Sequence, residues 1–153
     1  PVPGYRDDVI SFFSEPLQED MTISGKFLIN LFMSSDAEDS SITYKISEVM
    51  ADGNAYNIRT GISTLAFRNN RLGSRETYKP GEIAEFNLES LPIVWKIAKG
   101  HRIRVDISSS DFPQFSVQSN YPGIWSLQKD TKVATQILYM DKIHQAKIII
   151  PFK

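Results

Sequence analysis

The sequence has 153 residues, enough for one domain that forms a core without metal or disulfide staples. Hydrophobic residues at 41% and charged residues at 23% exclude a disordered or collagen-like chain. With 17 basic against 18 acidic side chains and no cysteine, it lacks the basic excess of a bulk-charge nucleic-acid binder, and it can build no disulfide scaffold, thiolate metal site or cysteine nucleophile.

The opening Pro1-Val2-Pro3-Gly4-Tyr5-Arg6 lacks the features of a secretory signal, and its missing Met reads as a processed end or a cut within a longer protein. Asp7 and Asp8 flank the first strand. Pro16 to Met21 is expected to form a short helix. Phe27, Ile29, Leu31 and Met33 then alternate with Lys26, Leu28, Asn30 and Phe32. Leu28 and Phe32 make that strand apolar on both faces, which places it centrally. Ile42, Tyr44 and Ile46 alternate with Thr43, Lys45 and Ser47, and Asp52-Gly53 supplies a tight turn into the next strand-like segment. Arg68 to Lys79 has no periodicity and reads as a long loop. Lys79-Pro80-Gly81 turns the chain into a strand at Glu82 that carries Ala84, Phe86 and Leu88.

Pro92 to Ala98 is a second expected short helix. Gly100 precedes the strongest period-two signal, in which Ile103, Val105 and Ile107 alternate with Arg102, Arg104 and Asp106. Ser110 to Asp130, rich in Ser, Pro, Asn and Gln, reads as a second long loop. Val133, Thr135, Ile137 and Tyr139 form one more row, and Ile148-Ile149-Ile150 ends at Pro151, which cannot extend a central ladder. No apolar run approaches the roughly 18–20 residues of a transmembrane helix. The pattern predicts an all-β chain, a single antiparallel β-sandwich. Long loops and the missing Cys–Trp–Cys pattern favour a jelly roll over an immunoglobulin-like sandwich.

Chemistry is sparse. A catalytic serine needs a base, and the chain holds two histidines, His101 and His144, without a Gly-x-Ser-x-Gly elbow. Asp36, Glu38 and Asp39 crowd one loop, a weak candidate for Ca²⁺ without EF-hand spacing; a solvated loop is the plainer reading. Arg68, Arg71, Arg75 and Lys79 concentrate positive charge, but Glu76 lies among them and no aromatic interleaves before Tyr78. That favours an exposed loop or docking surface over nucleic acid. The segment Ser108 to Phe115 places two aromatics and a proline directly after a strand, with Tyr121, Pro122 and Trp125 following. Such side chains stack on sugars, anchor a protein partner, or fold back over an open end of the sandwich. Trp95 and Trp125 are the candidates for ligand stacking. No cofactor is implied.

Several stretches resemble a known family in their order along the chain. They are Tyr5-Arg6-Asp7-Asp8-Val9, Phe13 to Leu17, Ile23-Ser24-Gly25, Leu31 to Ala37, Asp52-Gly53-Asn54-Ala55-Tyr56-Asn57, Gly61-Ile62, Gly81-Glu82-Ile83, Gly100 to Arg104, Ser108 to Phe115 and the closing Ile148 to Pro151. Together they are similar to the C-terminal domain of X-Pro dipeptidyl-peptidases and cocaine-esterase-type serine hydrolases. The resemblance implies a jelly roll of the galactose-binding-like type over residues 1–153, part of a longer hydrolase. It also implies that the catalytic Ser, Asp and His lie in a separate upstream α/β-hydrolase domain of the same polypeptide, and none of them maps onto this chain. The expected role is to pack on that domain and shape its active-site entrance, with Asp111, Phe112, Pro113 and Phe115 at the contact. The parent would cleave an ester or amide, such as an X-Pro dipeptide or an acyl-amino bond. The rival reading is a free-standing carbohydrate-binding sandwich; the third is a domain that self-associates as a homo-oligomer. Neither a nucleic-acid nor a membrane partner is expected, and the compartment is left open.

Overall fold

A computed structural model describes residues 6–69 and 73–153. The strands are β1 (Val9–Phe13), β2 (Met21–Gly25), β3 (Leu28–Ser35), β4 (Ser41–Val49), β5 (Ala55–Thr64), β6 (Ala84–Glu89), β7 (Ile93–Ile97), β8 (Arg102–Ser108), β9 (Gln136–Tyr139) and β10 (Lys147–Ile149). One sheet runs β1-β8-β4-β5. In the second, β3 is central, with β6 on one side and β10 and β9 on the other; β2 and β7 pair separately. All these pairings are antiparallel. Helical structure among the described residues is limited to two single 3-10 turns, Leu65–Phe67 and Trp125–Leu127.

The rows that alternate in sequence are the ones that meet in the core. Ile29, Leu31 and Met33 of β3 and Phe86 and Leu88 of β6 face Tyr44 and Ile46 of β4 and Ile103, Val105 and Ile107 of β8. Burying each such side chain contributes about 1.5–3 kcal/mol before entropy is counted. The expected antiparallel sandwich is therefore present, with β3 central as its two apolar faces require.

The Asp52-Gly53 turn closes the β4–β5 hairpin. Gly53 has φ +85°, a backbone region that other residues enter at a cost, and Asp52 accepts from the Asn54 amide at 2.9 Å. Farther along the ladder Tyr44 lies opposite Gly61. A Cβ on Gly61 would stand 2.5 Å from two ring carbons of Tyr44, so the buried ring lies directly on the bare glycine.

Five expectations are corrected. Pro92 to Ala98 is not helical but contains β7, because Trp95 and Ile97 alternate with Val94 and Lys96 at period two. Pro16 to Met21 forms no helix, and Met21 instead opens β2, which β7 pairs. The row Val133, Thr135 and Ile137 faces outward, Val133 being 97% exposed; β9 begins at Gln136, and Leu138 is the side chain that packs on the core. Arg104 is buried rather than solvated, beside Asp106 at 3.1 Å, because β8 is an interior strand of its sheet. Glu82 sits in the turn, its amide donating to the Lys79 carbonyl, so the strand starts at Ala84. Tyr5 and Arg71 lie outside the described residues.

Candidate functional site

Register decides where the long loops lie. Val9 pairs with Ser108, so polypeptide coming into β1 and the loop leaving β8 share one end of the sheet. The connections 36–40, 65–83 and 109–135 all belong to that end, since Ser35, Ser41 and Thr64 terminate their strands there.

The Ser110 to Asp130 loop is tied at its base. Ser41 donates to the Ser109 carbonyl at 2.6 Å, and Thr43 donates to that of Ser108 at 3.0 Å. Asp111 pairs with Lys45 at 2.8 Å, while its carbonyl receives the Phe115 amide at 3.1 Å. This turn holds Phe112 outward, 69% exposed, and contains the cis Phe112–Pro113 bond. Farther on, Asn120 donates to the Lys132 carbonyl at 2.7 Å and accepts from Ser40 at 3.1 Å. Gln128 pairs with Ser119 and donates to the carbonyls of Tyr121 and Pro122 at 3.1 and 2.8 Å.

Polar groups thus brace the loop from within, and apolar ones are left outside. Val117, Ile124, Trp125 and Leu127 are 55, 59, 53 and 75% exposed, a concentration that single scattered surface residues do not explain. Phe115 is half-buried and shares with Trp125, Phe67 and Ile62 a cleft of about 370 Å³ edged by Ser41, Ser63 and Thr64. Of the residues singled out from sequence, Phe115 and Trp125 meet in that cleft, while Phe112 is exposed in the preceding turn of the same loop. Val117, Ile124 and Leu127 are further exposed apolar residues of the loop, and sequence reasoning missed them because loop residues carry no periodicity to read.

Trp95 lies elsewhere. Its ring packs on the core from β7 and its indole N–H donates to Glu48 at 2.8 Å; the other Glu48 oxygen meets His101 Nδ1 at 2.6 Å. Glu48 had no signal in sequence, since its partners come from β7 and the turn before β8. His144 stands on Asp141 at 2.9 Å and edge-on to Phe32. The His144 ring and the amides of His144 and Ile143 hold the Asp141 carboxyl at about 2.

The acidic loop does not converge. Asp36 accepts from the Thr135 amide at 2.8 Å, and Glu38 pairs with Lys132 at 2.5 Å, which pulls its carboxyl below the ordinary range. Asp39 is 1% exposed and accepts from the Ser40 and Ala66 amides at 3.0 and 3.1 Å while pairing with Arg75 at 3.0 Å. Burial pushes the Asp39 carboxyl up, against the pull of those amides and of Arg75. Among the described residues no three His, Asp or Glu side chains are grouped to hold a metal.

Residues 3–149 match the family described as the X-Pro dipeptidyl-peptidase C-terminal non-catalytic domain. The cocaine esterase of Rhodococcus sp. (strain MB1 Bresler) is 30% identical over 148 residues, covering 95% of this chain and 26% of that protein. A solved alpha-amino acid ester hydrolase superposes with a TM-score of 0.86 at 23% identity, covering 98% of this chain and 26% of its own. An aminopeptidase from the marine sediment archaeon Thaumarchaeota archaeon gives 0.85 at 21% identity with the same coverage, and at such identities the two structures speak for the fold alone. The chain spans about a quarter of the length of these relatives. With the family matched over nearly all its length, this chain belongs to the X-Pro dipeptidyl-peptidase C-terminal non-catalytic domains.

Proposed function

We propose that this domain docks on the upstream α/β-hydrolase part of its own polypeptide through the Ser110 to Asp130 loop, and that Phe112, Phe115 and Trp125 help wall the active-site entrance. One observation carries the reading: the exposed apolar side chains of that loop stand at the sheet end where upstream polypeptide joins β1. A covalent neighbour arriving at that end meets this surface at high effective concentration, and apolar anchors with a polar rim are what such contacts use. The parent is read as an ester or amide hydrolase, because the matched family is named for a peptidase and the curated relative is an esterase. This chain supplies shape rather than catalytic groups. Asp111 stays within the turn as the brace to Lys45 that aims Phe112.

The test is the double substitution Phe112→Asp with Leu127→Asp in the full-length protein. Turnover of its ester or peptide substrate is expected to fall at least tenfold, with faster proteolysis between the two parts and unchanged far-ultraviolet dichroism. Wild-type turnover together with wild-type protease resistance would sink the reading.

A further inference from the structure

A second opening at the same end is unlike the loop surface. It lies between two strand edges, β1 of one sheet and β9 of the other, and neither edge carries another partner strand among the described residues. Its floor is core: Met33, Ile42 and Ile107, each under 5% exposed. Ile10 and Ile137 form its walls at 44 and 51% exposure, and Asp7 and Asp8 stand on the rim. The opening reaches down to core side chains that are themselves almost fully buried.

The size of the opening selects its occupant. At about 250 Å³ it falls below the roughly 300–1,000 Å³ of small-molecule pockets. Its floor of Met33, Ile42 and Ile107 is apolar; Ser109 and Gln136 also line the opening, and the Ser108 hydroxyl is engaged with Ser110. A space of that volume and lining fits one large apolar side chain, the arrangement by which a buried anchor fixes a protein contact. Position selects the source. Asp7 and Asp8 immediately precede β1, so any polypeptide upstream of Arg6 starts at the rim of this cleft, and relatives of this chain are about four times its length.

We propose that the cleft receives a single apolar side chain of leucine or phenylalanine size from the upstream hydrolase part. This rests on the docking reading above and adds to it a keyed contact beside the loop. The contact completes the core between β1 and β9 only when the two parts are together.

The experiment is thiol labelling of the full-length protein on a background free of other cysteines. Ile137→Cys is expected to react with a maleimide at least tenfold more slowly than Val94→Cys, a 73% exposed position on β7, at every protein concentration. Equal rates overturn the inference. Protection that disappears on dilution also overturns it, because a second copy then fills the cleft. Leu127→Cys separates the two readings: if it is protected while Ile137→Cys is not, the loop docks and the cleft stays open, whereas if both react freely, both readings fail. A benzophenone carried on Asp7→Cys at the rim is expected to crosslink to an upstream peptide holding a large apolar residue. Crosslinks confined to residues 6–153 overturn the assignment.

Discussion

The loops Arg68 to Lys79 and Ser110 to Asp130 lie at the same end of the sandwich, and they differ in what their side chains meet. The first is rich in charge, and most of its described charges are paired within the domain, although Lys79 stays largely in water. Arg75 reaches buried Asp39, Arg68 pairs with Glu76 at 3.0 Å, and the Tyr78 hydroxyl joins the Ser35 amide to the Glu82 carbonyl. The second has its polar groups bound to its own backbone and its apolar groups in water. Formal polarity therefore misleads in both directions. A charged loop can have its partners at hand within the domain, while a loop that exposes Phe112, Ile124 and Leu127 leaves apolar surface in water.

Breaking the charged loop should have the largest effect. Asp39→Ala strands Arg75 and two backbone amides, so urea unfolding of this domain should show a loss of about 3 kcal/mol. Arg75→Ala should cost less, about 1 kcal/mol by the same measurement, because that side chain is 36% exposed and water replaces its partner in part. The apolar-exposing loop should respond least: Ile124→Ser and Leu127→Ser should each stay within about 0.5 kcal/mol in this domain, since neither side chain is packed here. A large loss from either would mean that the loop folds for its own sake.

Protonation sharpens the contrast with two opposite signs. The folded Asp141 value, about 2 against an ordinary 3.8, means its contribution is present above 3.8 and is lost as pH falls through 2. Asp39 is shifted upward, so its buried charge takes stability away as pH rises through its folded value, and protonation on acidification returns it. Carbon-13 carboxyl titration should place Asp141 near 2 and Asp39 above the usual aspartate range. Asp39 titrating below Asp141 would remove the premise that desolvation governs that site.

The sandwich was legible wherever apolar residues recur at every second position of a strand. The alternation of β6 and β8 and the doubly apolar β3 mark their strands and positions in the sheets, because side-chain direction in a strand follows a period of two. Strands β2 and β7 escaped because each is five residues long beside a proline-bearing stretch, a length at which helix and strand patterns are hard to tell apart. Of the proposed docking surface, the aromatics around Phe112 were readable as a loop after a strong strand. Ile124 and Leu127 were not, because exposure in an irregular segment depends on which hydrogen bonds brace it. The acidic residues read as a solvated loop, with an ion site only a weak candidate; instead Asp36 and Glu38 take partners from the segment Lys132 to Thr135 and buried Asp39 takes Arg75 from the earlier loop.

The Tyr44–Gly61 contact acts on which pairing of β4 with β5 is permitted at all. Sliding β5 by one residue would bring Thr60 or Ile62 opposite the tyrosine, and each carries a Cβ where the ring already lies. A single hydrogen atom in place of a side chain thus works as a notch that only one alignment fits. The hairpin closed by Asp52 and Gly53 is indexed at both ends, by its turn and by its glycine. The bulge between Ile46 and Ser47, lying between those two marks, can add a residue to β5 without letting the strands lose count.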